Sequence, residues 1–237
     1  MHKTYLGYLL KKGDTELLPL IHEFNTLPTR YMHRSWLEGV VDAGLFERLQ
    51  SHPAAERKLA KHMLAHYGLA DDFCYNFEAS SRRLALFAPE NLIQSAKLAG
   101  IALNAPKIQK VILKHEVLAM RRDLGDDGYQ FALKKASFLL GNLEFPVPRQ
   151  TDDQTLAEYT DACGKHLLNA CFYGEPTSVI QRLQFKFPKG EGLDLDPSQR
   201  VSDKQRAWRN LKKESAWRII KKILTHEVNP QWAPLLG

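Results

Sequence analysis

The sequence predicts an all-α protein, an irregular globular bundle of about eight to ten helices with at most a minor β element. Apolar residues recur at steps of three and four along most of the chain, which is the spacing of one helix face. Prolines and glycines fall between these periodic segments, where helices begin and end. No segment shows the repeated alternation of β-branched residues that a sheet requires.

The first part of the chain is expected to form five helices. Ser35 is a suitable N-cap for the second of them, because its hydroxyl can accept a hydrogen bond from a free backbone N–H. Pro53 favours a helix start and Gly68 a helix stop around the third. The expected helices cover 14–25, 36–50, 53–67, 81–87 and 89–103.

A helix over 107–124, opened by Pro106 and ended by Gly125, is predicted from a single apolar stripe. That stripe consists of Ile108, Val111, Ile112, His115, Leu118 and Ala119. Two later helices follow patterns typical of capping boxes, at 151–154 and 202–205. The remaining helices are expected over 126–141, 151–173 and 202–228, with a short element that starts at Pro176.

The segment 142–150 contains Pro146 and Pro148, which remove backbone donors and favour extended geometry. This pattern indicates a linker between two helical layers. The whole chain, 1–237, is therefore expected to be a single helical domain. It divides at most into sublayers 1–145 and 151–237.

The chain carries a formal net charge of +6, and its basic excess lies at the C-terminal end. Residues 200–237 hold nine Lys and Arg against three Asp and Glu, which accounts for the whole excess. No stretch approaches the roughly 20 apolar residues that cross a bilayer. The first residues lack the apolar core of a secretory signal. We expect a cytoplasmic protein whose electrostatic partners meet the C-terminal helix.

Three interpretations of the basic C-terminal helix remain open. It is the solvated outer face of a packed helix, a docking surface for an acidic protein, or a surface for nucleic acid or anionic membrane. Two tryptophans in the helix favour packing, since large rings are usually buried. The candidate partner-binding residues on this helix are Arg209, Lys212, Lys213, Lys221 and Lys222.

The sequence contains no recognisable catalytic motif. It lacks a phosphate-binding glycine-rich loop and a Gly-x-Ser-x-Gly elbow. His62 and His66 have the i, i+4 spacing of helical zinc ligands, but ordinary histidines share that spacing. We expect no enzyme, no cofactor and no metal, and we leave open whether these histidines bind one.

Two segments carry a resemblance to a known family. The segment from Phe24 to Leu37 has the order Phe-Asn, Pro, Tyr-x-His and Leu, and is similar to a signature of the K subunits of type III secretion sorting platforms, the YscK/SctK family. The segment 98–124, with its proline and the pair Arg121 and Arg122, resembles the central helices of that family. Weaker similarity extends to 181–188 and 219–230.

The resemblance implies a non-enzymatic adaptor at the cytoplasmic face of the inner membrane. Such an adaptor links the cytoplasmic domain of the inner-membrane ring protein to the pod-forming Q subunit, and so to the ATPase complex. It implies no cofactor and no nucleic-acid partner. The alternative function is a helical nucleic-acid-binding protein that uses the basic C-terminal helix.

Tyr31, His33 and Trp36 lie in the first of these segments and are the remaining candidate partner-binding residues. Two interpretations are open. The three side chains form a contact surface for a partner, or Tyr31 and Trp36 seat the helix expected over 36–50 on the core. Aromatic side chains more often serve cores than partners.

Overall fold

The structure is a computed structural model that describes Gly7, residues 16–191, Leu193 and residues 203–236, with the backbone alone over 203–208. The described residues form ten α-helices and no strand, which confirms the all-α prediction. Among them, no helix is both long and apolar enough to cross a membrane. The helices are α1 (Leu17–Thr26), α2 (Ala43–Gln50), α3 (Pro53–His66), α4 (Pro89–Ile108), α5 (Lys114–Leu124), α6 (Asp126–Lys134), α7 (Ala136–Leu140), α8 (Leu156–Cys171), α9 (Thr177–Gln184) and α10 (Asp203–Ile223).

The chain divides into two compact units. The first unit comprises Met1–Pro89 and Gly174–Gln199, and the second comprises Glu90–Tyr173 and Arg200–Gly237. The proline-containing segment 142–150 lies within the second unit. The single adaptor domain with sublayers 1–145 and 151–237 stays a prediction.

Some predicted helix boundaries are confirmed. Helix α3 begins at Pro53, and Gly68 follows its end with a φ of +71°, a conformation that glycine adopts without strain. The capping box of α8, in contrast, lies one turn later than predicted. Glu158 N–H donates to Thr155 Oγ1 at 3.2 Å, and Thr155 N–H donates to Glu158 Oε2 at 2.8 Å. The box predicted at 202–205 lies outside the described side chains.

The helix predicted over 36–50 is shorter than expected. Ser35 belongs to a turn of 3₁₀ helix, Arg34–Trp36, and Gly39 then takes a φ of +76°, which interrupts any continuous helix. Helix α2 starts only at Ala43, where the Asp42 carboxylate accepts a hydrogen bond from the Leu45 N–H at 2.9 Å.

The helix predicted over 107–124 is also wrong. Pro106 lies inside the last turn of α4, where it cannot donate a backbone hydrogen bond to the carbonyl of Ala102, and the chain leaves the helix after Ile108. Helix α5 starts afresh at Lys114. The apolar stripe is therefore split, and Ile112 is 88% exposed in the connection.

The first unit is built on an aromatic core with ion pairs around it. The ring of Phe24 is buried beside that of Phe77, with centroids 5.8 Å apart and planes at 88°. Arg30 donates through Nε to Glu56 Oε1 at 2.7 Å and through Nη2 to Glu56 Oε2 at 2.8 Å. Because Glu56 is buried, this bidentate pairing satisfies a carboxylate that would otherwise be costly to desolvate.

The second unit is built on a close crossing of α4 and α8. A Cβ added at Gly100 would lie 1.8 Å from the carbonyl oxygen of Thr160. A Cβ added at Gly164 would lie 2.0 Å from the carbonyl oxygen of Ala96. The two backbones meet only because both positions lack a side chain. Helix α10 packs on α8 through an apolar face whose buried members are Ala216, Ile219, Ile220 and Ile223.

We expect Gly100→Ala to destabilise the protein by about 3 kcal/mol or more, because its methyl group would overlap a backbone oxygen that cannot rotate away. Chemical denaturation with urea measures the effect. Gly44→Ala is the matched control: its Cβ would lie 3.4 Å from Asp42 Oδ1, and we expect it to raise stability by about 0.5 kcal/mol. Equal effects of the two substitutions would contradict the close crossing.

The Arg30–Glu56 pair predicts an acid dependence of stability. Hydrogen bonds from Arg30 lower the pKa of Glu56 below its ordinary value of 4.5. The stabilisation is therefore present above pH 4.5 and is lost as the pH falls towards the lower pKa of the folded state. Glu56→Gln should cost about 1–2 kcal/mol at pH 7 and less at pH 3. A stability difference that stays constant between these pH values would contradict this assignment.

Candidate protein-binding surfaces

The aromatic residues of 24–37 are held by backbone carbonyls of the first unit. Tyr31 is buried, stacks on Phe24 with ring centroids 5.8 Å apart, and donates its hydroxyl to the Phe24 carbonyl at 2.6 Å. Burial raises the pKa of the Tyr31 hydroxyl well above its ordinary value. Tyr31 therefore remains a neutral hydrogen-bond donor inside the core.

Asn25, the neighbour of Phe24, fastens α1 to the loop that follows α3. Its amide nitrogen donates to the carbonyls of Ile21 and Cys74, each at 2.8 Å. Its amide oxygen accepts from the Cys74 N–H at 2.9 Å. Because Asn25 is buried, only a residue with both a donor and an acceptor satisfies these groups. This requirement explains why an asparagine follows Phe24.

Trp36 and His33 bind the segment that follows α9. The Trp36 indole donates to the Phe187 carbonyl at 2.8 Å, and its ring meets that of Phe185 edge to face at 5.1 Å. The backbone N–H of His33 donates to the Phe185 carbonyl at 2.7 Å. Two segments that resemble the K-subunit family, 24–37 and 181–188, are thus in direct contact.

The three predicted residues of this segment differ in exposure. The Tyr31 side chain is enclosed, and the Trp36 ring is half-buried between Tyr67 and Phe185. The geometry thus favours the interpretation that Tyr31 and Trp36 serve packing. They pack against the 181–188 segment as well as against α3. His33 is exposed, and its Nδ1 lies 2.9 Å from Ser35 Oγ. An exposed edge of His33 and Trp36 remains for a partner.

The basic residues of α10 do not share one solvated face. With 100° between successive residues, Arg209, Lys212 and Lys213 lie on the same side of the helix as the buried Ile220. Lys221 lies towards the outer side and is half-exposed, whereas Lys222 is exposed. Leu211, in contrast, is 72% exposed. The side of α10 that is apolar around Ile220 therefore carries basic residues over 209–213.

Two of these lysines bind carbonyls at the C-terminal ends of other helices. Lys213 Nζ donates to the Tyr173 carbonyl at 3.1 Å, just beyond the end of α8. Lys222 Nζ donates to the Leu139 carbonyl at 3.0 Å, in the last turn of α7. Helix C-termini carry carbonyls without backbone partners and a partial negative charge, so an ammonium group is favourable there.

The other three basic residues contact aromatic rings of the second unit. The Arg209 guanidinium lies 5.2 Å from the ring centroid of Tyr173, and Lys212 Nζ lies 5.7 Å from that of Phe145. Burial lowers the pKa of Lys212. Lys221 Nζ lies 5.8 Å from the ring of Trp217, one turn earlier on the same helix. Cations over ring faces gain electrostatic stabilisation, so these contacts also serve packing.

His62 and His66 lie on α3 with both side chains exposed. The His66 ring meets that of Tyr67 edge to face at 4.8 Å. In the described part of the chain, no group of three or more His, Cys, Asp or Glu side chains is arranged to hold a metal ion. The arrangement therefore supplies two histidines without a visible third ligand.

Two buried cations of the first unit were not predicted from the sequence. Arg182 and Lys186 are buried, and the ammonium of Lys186 donates to the Phe87 carbonyl. Arg182 Nη2 donates to the Asn25 carbonyl at 3.4 Å and the Leu69 carbonyl at 3.3 Å. Arg182 lies in α9 and Lys186 lies two residues beyond its end, and the two are four residues apart, which is the spacing of one helix face.

The fold and these surfaces define an all-helical protein whose aromatic and basic residues largely organise its own packing. The family described as YOP proteins translocation protein K (YscK) matches residues 20–230. This chain belongs to that family, which confirms the resemblance found in the sequence.

A solved structure supports the same fold. The chain is similar to the cytoplasmic domain of the T3SS sorting platform protein PscK from P. aeruginosa, with a TM-score of 0.51 and 19% sequence identity. The similarity covers 88% of this chain and 97% of that one. At this identity the likeness establishes the fold alone. A comparison with curated proteins found no match.

The contacts of α10 predict which lysines stabilise the fold. Lys213→Met and Lys222→Met should each cost about 0.5–1.5 kcal/mol, because each leaves a helix-terminal carbonyl without its charged donor. Lys221→Met is the control and should change stability by less than about 0.5 kcal/mol. Urea denaturation of the three variants measures this. A larger loss at Lys221 than at the other two positions would contradict the assignment.

Proposed function

We propose that this chain is a non-enzymatic cytoplasmic adaptor of a bacterial type III secretion sorting platform. It links the cytoplasmic domain of the inner-membrane ring protein to the pod-forming Q subunit and so to the ATPase complex, at the cytoplasmic face of the inner membrane. The observation that carries the proposal is the family match over 20–230. The likeness of fold to PscK, described as a sorting platform protein, supports it.

The described residues are consistent with a role through binding and not through chemistry. The free cysteines Cys74, Cys163 and Cys171 are all buried, and burial raises the pKa of the Cys74 and Cys171 thiols, which disfavours the reactive thiolate. The histidine pair on α3 lacks a visible third ligand among the described residues. A molecule of this kind acts by presenting surfaces to other proteins.

The nucleic-acid alternative gains no support from the basic helix. Lys213 and Lys222 donate to helix-terminal carbonyls, and Arg209 and Lys212 contact aromatic rings. A surface for phosphates would direct such groups outward along one face. The basic excess of the C-terminal segment is instead used largely within the second unit.

Two parts of the predicted surface remain suited to partners. The patch of the first unit is the exposed edge of His33 and Trp36. The patch of the second unit consists of Lys221 and Lys222. We propose that each unit presents one of these patches to a protein of the platform. Tyr31, Arg209, Lys212 and Lys213 support the patches from within their units.

Calorimetric titration of the purified chain with the ring cytoplasmic domain and with the Q subunit tests this proposal. We expect binding to both. His33→Glu and Lys221→Glu should each weaken binding of one partner about tenfold, since each introduces a negative charge at an interface rim that had none. Their matched controls, His62→Glu and Lys110→Glu, change exposed residues elsewhere on the same units and should leave both affinities unchanged. A folded chain that binds neither partner would contradict the adaptor role.

A further inference from the structure

A cleft of about 360 Å³ lies beside α1 and α3 in the first unit. Its size is close to the lower end of the range for ligand pockets, which suits one or two side chains of a partner better than a large cofactor. The cleft is open to solvent at its rim, where exposed polar residues of α3 lie. The lining residues that matter here are Leu27, Leu64, Ala70, Phe73, Arg57 and Lys61.

The floor of the cleft is apolar. Leu64 is buried, and Leu27, Ala70 and Phe73 are each half-buried, so their remaining apolar surface faces the cleft. Exposed apolar surface in a concavity is stabilised when a complementary apolar group covers it. The floor therefore selects an occupant with a large apolar side chain.

The acidic residue that lines the cleft, Glu56, is paired with a cation of the same lining. Glu56 lines it, and both of its carboxylate oxygens accept hydrogen bonds from Arg30 at 2.7 and 2.8 Å. Arg30 also donates to Glu23 at 3.1 Å. The guanidinium of Arg30 is thus shared by two carboxylates, of which only Glu56 lines the cleft. Among the lining residues, the charge of Glu56 is therefore matched by that of Arg30.

Arg57 and Lys61 give the rim its excess of positive charge. They are four residues apart on α3, so they lie one above the other on one face, about 6 Å apart along the axis. Both are exposed and line the cleft. Neither forms an ion pair with any carboxylate in the described part of the chain.

We propose that this cleft is a docking site for an acidic amphipathic helix of a partner protein. A large apolar side chain of that helix enters the cleft, and carboxylates beside it pair with Arg57 and Lys61. The charge of the rim excludes a basic segment, and the apolar floor excludes a purely polar one. Neither His33 nor Trp36 lines the cleft, so this proposal does not depend on the adaptor role.

Fluorescence anisotropy with the full chain and three labelled synthetic peptides tests the proposal. The first peptide has a stripe of leucines flanked by glutamates, the second replaces the glutamates with lysines, and the third replaces the leucines with serines. We expect the first to bind with a dissociation constant below about 1 mM and the others at least about tenfold more weakly. Lys61→Glu should weaken the first peptide about tenfold, because it replaces the attraction with repulsion.

Two further variants locate the binding. Ala70→Trp fills the cleft without removing any contact and should also reduce binding of the acidic peptide about tenfold or more. Lys58→Glu makes the same charge change as Lys61→Glu on the same helix, but at a position outside the cleft lining, and should leave the affinity unchanged.

Three outcomes would overturn the proposal. They are equal binding of the acidic and basic peptides, equal effects of Lys58→Glu and Lys61→Glu, and no binding of any peptide. A fourth such outcome comes from analytical ultracentrifugation of the chain alone, which measures its oligomeric state. If Lys61→Glu converts a dimer to a monomer and the peptides do not bind, the occupant is a second copy of this chain.

Discussion

The second unit depends on the approach of two helix backbones at Gly100 and Gly164, where any side chain would overlap a carbonyl oxygen of the facing helix. This contact sets the position of α8 against α4. Helix α10 packs on α8, and the ammonium of Lys213 reaches the carbonyl of Tyr173 just beyond the end of that helix. Helix α8 is thus held both by the glycine crossing with α4 and by the packing of α10.

Charge in a sequence does not by itself identify a partner. The basic excess of 200–237 suggested an external surface, yet Lys213 and Lys222 complete the C-terminal ends of α8 and α7. A lysine ammonium is stabilised in both settings, because a helix C-terminus carries a partial negative charge and an acidic partner carries a full one. Only the packing of α10 distinguishes them.

The helical class, the start of α3 at Pro53 and its end before Gly68 were predictable, because local steric preferences decide them. The break after Ile108 was not, since Pro106 was interpreted as the start of a helix and the apolar stripe continues across the residues where the helix stops. The family resemblance rested on Phe24 and its neighbours, whose burial the residue types suggested. The cleft beside α3 could not be predicted, because it arises where α1 and the loop at Phe73 converge in space.

On our proposal, the chain works by being held at two places: one protein meets the first unit and another meets the second. The physical requirement is that both partner proteins bind the chain at the same time. A chain that binds only one partner at a time cannot hold the two together. Native mass spectrometry of the chain mixed with the ring cytoplasmic domain and the Q subunit tests this most directly. The account predicts a species that contains all three proteins. Binary complexes alone, with one partner displacing the other, would contradict it.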